Sequence, residues 1–175
     1  MLGQKILVAY YSGSGHTTAT ADEIAAELGA TVERIFCPGL DGRPLTFMRQ
    51  LASALFRTRP PIAPIAETPQ SFDLLVLGAP VWAGRLATPA LSYLTTVQGR
   101  LPPVALFLSA AGAGTGGAVD QVSQIIGHPP VAVVSITNGD RTSGDQIGKI
   151  QDFVDRIRTW LTSETDIRIN SMHGR

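Results

Sequence analysis

Short apolar runs rich in β-branched residues recur along this chain, and each is followed by an amphipathic helical pattern. The runs are Gln4–Tyr10, Thr31–Phe36, Leu74–Leu77, Val104–Leu108 and Val131–Ile136. Almost every residue of Leu74–Leu77 is apolar, as expected of a parallel strand buried on both faces. Between the runs, apolar residues return at helical spacing. In 16–28, Ala21, Ile24, Ala25 and Leu28 share one face, and Gly29 follows as a left-handed stop. Met48, Leu51, Ala52 and Leu55 form a stripe in 45–56. Thr88-Pro89 supplies a cap and a first-turn proline for a helix that Gly99 ends. Further helices are expected over 117–126 and over 145–161, the latter with Ile147, Ile150, Val154, Ile157 and Leu161 inward. Five β-α units in strict succession predict an α/β fold: a doubly wound five-stranded parallel sheet with helices on both faces. Right-handed crossovers leave few topologies, and five units fit the strand order 2-1-3-4-5. A single domain is expected over 1–162, with a loosely held polar tail over 163–175. The stretch Arg57–Pro64 holds three prolines and reads as an irregular connection, too short for a domain boundary.

Composition narrows the partners. At 175 residues and 44% hydrophobic, the chain can bury a full core. Its formal net charge is zero and no run of Lys or Arg occurs, which argues against nucleic acid or an anionic membrane as partner. The apolar runs are too short to span a bilayer. Met1–Val8 carries no cleavable-signal pattern, so a cytoplasmic location is expected. Cys37 is the single cysteine, which excludes an internal disulfide and a multi-cysteine metal site. It reads as a small apolar residue near a strand end rather than a nucleophile.

The first strand runs into Tyr10-Tyr11-Ser12-Gly13-Ser14-Gly15-His16-Thr17-Thr18, just before the first helix. A glycine- and hydroxyl-rich loop at that point suits phosphate: the glycines let the backbone approach closely, and the helix start offers unpaired N–H groups and its positive dipole end. A nucleotide-triphosphate loop is disfavoured, because His16 stands where Lys is needed and Tyr10 where the first Gly is needed. The dinucleotide pattern fails at Thr18, where its third Gly belongs. A plain βα turn also favours Gly, Ser and Thr. Two further loops belong to the same rim of the expected fold, outside the carboxyl ends of the strands. After the third strand comes Gly78-Ala79-Pro80-Val81-Trp82-Ala83-Gly84, whose Trp82 lies outside any apolar periodicity and offers a flat face for stacking. Packing down onto the core is its alternative role. After the fourth comes Ser109-Ala110-Ala111-Gly112, a slim wall for a planar ligand. The spelling Gly112-x-Gly114-x-x-Gly117 that continues it copies a dinucleotide fingerprint, but in the fourth unit rather than the first.

Two of these segments carry a family resemblance. Ser12-x-Ser14-Gly15-x-Thr17 resembles the FMN-phosphate loop of flavodoxin-like proteins, and Gly78-x-Pro80-Val81-Trp82-x-Gly84 resembles the segment that lines the isoalloxazine ring there. The resemblance extends over 6–161. It implies an FMN cofactor held by Ser12, Gly13, Ser14, Gly15, His16 and Thr17 at the phosphate, and by Pro80, Val81, Trp82, Ala83 and Gly84 beside the ring. Ser109, Ala110, Ala111 and Gly112 complete the expected set. No catalytic acid–base set and no metal ligands are assigned. Flavodoxins are strongly acidic, whereas this chain is neutral and its three loops hold Arg85 but no Asp or Glu. A neutral site favours two-electron use. The expected function is therefore an NAD(P)H-dependent reductase of quinones or similar acceptors. The alternatives are an electron carrier serving a redox partner protein, and a scaffold without flavin. Subunit number stays open.

Overall fold

The computed structural model describes residues 4–41, 59–99, 101–112 and 114–173. Its strands are β1 (Ile6–Tyr10), β2 (Thr31–Arg34), β3 (Leu74–Trp82), β4 (Arg85–Leu86), β5 (Val104–Ala110) and β6 (Val133–Thr137). Its α-helices are α1 (His16–Leu28), α2 (Thr88–Val97), α3 (Gly116–Ile126), α4 (Asn138–Ser143) and α5 (Gln146–His173). The sheet runs β2-β1-β3-β5-β6, every neighbour parallel, with β4 hanging off β3 as an antiparallel partner. With that two-residue strand set aside, the order is the expected 2-1-3-4-5.

Alternation along the strands divides the core into two layers. Leu7, Ala9, Leu75, Leu77, Leu106 and Leu108 face α2 and α3, where Ala90, Tyr93, Leu94, Ala118 and Val122 meet them. Ile6, Val8, Leu74, Val76, Ala105 and Phe107 face α1 and α5, against Ile24, Ile150, Phe153, Val154 and Ile157. All of β1 and β5 is buried, which is why those runs carry no polar alternation. Each large apolar side chain so buried contributes about 1.5–3 kcal/mol.

The structure corrects the sequence reading in three places. Gly78–Gly84 is not a loop: β3 continues through Trp82, because Gly78, Ala79 and Pro80 pair with Phe107, Leu108 and Ser109 of β5. Gly78 is required in that strand, since a Cβ there would collide with the ring of Phe107. The chain then reverses through Ala83-Gly84, both at positive φ (50° and 74°), into β4. Two such residues make the primed turn that matches strand twist. Second, the chain from Ser163 to His173 is helical and continues α5, where no helix is expected. The Gln4 amide nitrogen donates to the Leu161 carbonyl at 3.0 Å and to Thr165 Oγ1 at 2.9 Å, tying that helix to the entry of β1. Third, Asn138–Ser143 forms a short helix between the fifth apolar run and the helix expected from 145. The helix expected over 45–56 lies outside the described residues. Cys37 is fully buried; its thiol reaches the Pro61 carbonyl at 3.5 Å, and desolvation pushes its pKa up.

Candidate functional site

Beyond β1 the backbone is pinned before it reaches the helix. Tyr11 N–H donates to the Gly78 carbonyl at 2.9 Å, and Gly15 N–H donates to Ser12 Oγ at 3.0 Å. Ser12 is thereby turned into the loop, only 3% exposed, while Gly13 and Ser14 stand out from it. Gly15, at φ 92°, redirects the chain into α1. The first hydrogen bond of that helix runs from Ala19 N–H to the Gly15 carbonyl. The N–H groups of His16, Thr17 and Thr18 precede it and have no partner within the helix. No side chain caps this end and no acid lies in the first turn, so its dipole is uncompensated.

Trp82 stands on the neighbouring wall. It is half-buried, and its ring meets Tyr11 edge-to-face at 5.8 Å and 89°. The hairpin that carries it is held from behind. Leu86 N–H donates to Gln121 Oε1 at 3.1 Å, and the Gly84 carbonyl fits against Gly117, where an added Cβ would come within 2.7 Å of it. Arg85, on the same hairpin, lines a different cleft of about 230 Å³ with Arg59, Thr88 and Gln121.

Past β6, Thr137 and Asp140 form a reciprocal capping box. Asp140 N–H donates to Thr137 Oγ1 at 3.2 Å, and Thr137 N–H donates to Asp140 Oδ2 at 2.7 Å. Lys149 Nζ lies 2.7 Å from Asp140 Oδ1. This lysine and the Thr137 hydrogen bonds hold the Asp140 pKa at about 2. The box sets the start of α4 and so places Arg141. Its Nη2 donates to Ser109 Oγ at 3.1 Å and its Nη1 to Asn138 Oδ1 at 3.3 Å. Burial draws the guanidinium pKa below its usual value, with Asp140 opposing.

These elements enclose one cleft of about 330 Å³. Gly13, Ser14, His16 and Thr17 line it from β1 and α1; Pro80, Val81 and Trp82 from β3; Ser109, Ala110 and Ala111 from β5. Of the fifteen residues expected to hold a cofactor, ten therefore face a common space. Ser12, Gly15, Ala83, Gly84 and Gly112 do not line it; the first four shape its walls through the Ser12–Gly15 hydrogen bond and the Ala83-Gly84 turn. Asn138 and Arg141 complete the lining, and neither is singled out by sequence reading. The one signal for them is Thr137-x-x-Asp140, a capping-box spacing at the end of the last apolar run. No carboxylate among the described residues lines the cleft. Among the described residues, no group of three or more His, Cys, Asp or Glu is arranged to hold a metal, and no helix is long and apolar enough to cross a membrane.

The parallel sheet wound in this order, with its cleft at the strands' carboxyl rim, has the flavodoxin-like fold. Solved structures agree. A flavoprotein of Lactobacillus acidophilus in complex with FMN superposes with a TM-score of 0.65 at 24% identity, over 80% of this chain and 97% of its own. A Fusobacterium nucleatum flavodoxin bound to flavin mononucleotide gives 0.55 at 14%, over 89% and 98%. The apo form of an NADH:FMN oxidoreductase gives 0.54 at 14%, over 89% of each chain. No protein-family model and no curated protein matches the sequence.

Proposed function

We propose that this chain is an FMN-binding flavoprotein and an NAD(P)H-dependent reductase of quinones or similar small acceptors. The observation that carries the proposal is the convergence of three separated segments on one cleft: Ser14 and Thr17 at an uncapped helix start, Trp82 at the end of β3, and Ser109–Ala111 at the end of the neighbouring β5. The residues fit the cofactor. The N–H groups of the first turn of α1, with the Ser14 and Thr17 hydroxyls, are acceptable donors to a phosphate and need no lysine. The half-buried Trp82 ring offers a face for a conjugated ring system. The cleft volume lies within the range of about 300–1,000 Å³ typical of small-molecule sites. Bound FMN would supply the electron transfer itself; the protein holds, orients and tunes it.

The preference for an enzyme over a carrier comes from charge. Among the described residues, the cleft is lined by one guanidinium and no carboxylate, which suits a flavin that gains negative charge in two-electron steps. The fold likeness to an NADH:FMN oxidoreductase is compatible with that use. The test starts with the absorption spectrum of the purified protein and the identity of any flavin released by heat. Turnover of NADH or NADPH with a soluble quinone should follow. FMN without turnover would leave an electron carrier, and absence of FMN binding would remove the flavoprotein reading.

A further inference from the structure

Arg141 is a cation with hydrogen-bonding capacity left over. Two of its N–H groups are used, by Ser109 and Asn138. A guanidinium has five, so three remain without a partner among the described residues. No carboxylate oxygen of the described residues lies within 4.0 Å of it; the neighbouring Asp140 acts on it only at longer range and is itself engaged by Thr137 and Lys149. None of the described residues that line the cleft is acidic.

Its place in the sheet says which part of a ligand it meets. Ser14 and Thr17 follow β1, and Arg141 follows β6, three strand positions further along. At about 4.8 Å per position that is roughly 14 Å. A ligand with its phosphate at the start of α1 and its ring beside Trp82 therefore presents the ring side, not the phosphate, to Arg141. An oxidised flavin ring is neutral. Uptake of two electrons and one proton leaves it with a single negative charge. A fixed, partly desolvated cation on that side binds the second form more tightly than the first.

On the flavin reading above, we propose that Arg141 is the positioning charge of this cleft: it discriminates between redox states of the bound flavin and raises its two-electron potential, while adding little to the grip on oxidised FMN. Ser109 and Asn138 hold it in place for that role.

The experiment compares wild type, Arg141→Gln and Arg141→Lys by fluorescence titration with FMN and by dithionite reduction against a reference dye. Arg141→Gln should leave the Kd for oxidised FMN within about threefold. It should weaken binding of the two-electron-reduced form at least about tenfold, a fall of about 30 mV in midpoint potential. Arg141→Lys, which keeps the charge, should recover most of that fall. A tenfold loss of oxidised FMN with an unchanged potential would overturn the proposal, placing Arg141 on the phosphate. Equal losses in Gln and Lys variants would also overturn it, since only the local scaffold would then be at stake. So would no change in either quantity. Failure of wild type to take up FMN is a separate outcome that removes the flavin reading itself.

Discussion

Glu33 and Arg141 occupy opposite edges of the same sheet, and the fold treats their charges in contrary ways. Glu33, on the edge strand β2, is 8% exposed. Its Oε1 accepts from Ala66 N–H at 2.6 Å and from Glu67 N–H at 3.3 Å, and its Oε2 accepts from Tyr93 Oη at 3.2 Å. Tyr93, almost fully buried, has its phenol pKa pushed above the usual range by desolvation and then by Glu33. Both oxygens of this carboxylate are used, and its partners are mostly backbone. Arg141, just past β6, is held by two side-chain oxygens, lines the cleft, and has three N–H groups without a partner among the described residues. A buried charge whose bonds are all internal belongs to the scaffold. A charge held in place with donors to spare belongs to whatever enters the cleft.

The sharpest test of this contrast is Glu33→Ala. It leaves two backbone N–H groups and a buried hydroxyl without their acceptor, and should cost about 3 kcal/mol in urea unfolding while FMN affinity stays within about twofold. A large loss of affinity at unchanged stability would break the contrast. Next is Trp82→Ala, expected to weaken FMN binding by about 1–3 kcal/mol by analogy with base–aromatic stacking. Titration of flavin fluorescence reads it, and an unchanged Kd would remove the stacking role. Thr137→Ala takes away the cap of α4 and should lower stability by about 1 kcal/mol. Because the same cap places Arg141, its flavin potential should shift in the direction of Arg141→Gln. The smallest effect is one of pH. The folded pKa of Asp140 is about 2 against 3.8 ordinarily, so its stabilisation is present above pH 3.8 and is lost as pH falls toward 2. The difference in Tm between wild type and Asp140→Asn should therefore be present at about pH 6 and close on acidification. A constant difference would assign it to something other than the carboxylate charge.

The sheet is legible in the sequence because burial on both faces forces continuous apolar runs such as Leu74–Leu77. The strand order follows from counting units and from crossover handedness. The cleft is partly legible, since Ser14, Thr17 and Trp82 stand in recognisable spacings. The end of β3 is not, because Gly78 and Pro80 read locally as breakers. Their strand geometry comes from pairing with Phe107 and Ser109, about thirty residues away in sequence. Nor is α4, a six-residue helix without an apolar stripe, whose five residues other than Arg141 are weak helix formers, held mainly by one cap and one lysine. Arg141 inherits that obscurity: its role depends on a contact with Ser109 that no local pattern announces. The helical stretch beyond Ser163 lacks an inward apolar stripe, which is the feature that pattern reading relies on.

The hydrogen bonds from Ala66 and Glu67 to Glu33 have an effect beyond local stability. Together with Ala63 N–H, which takes the Phe36 carbonyl at 2.8 Å, they strap the incoming chain alongside the exposed margin of the sheet. An outer strand left bare is a template on which a second molecule can add and grow into fibres. Releasing the strap through Glu33 thus carries a liability separate from unfolding: a protein that still folds but begins to self-associate.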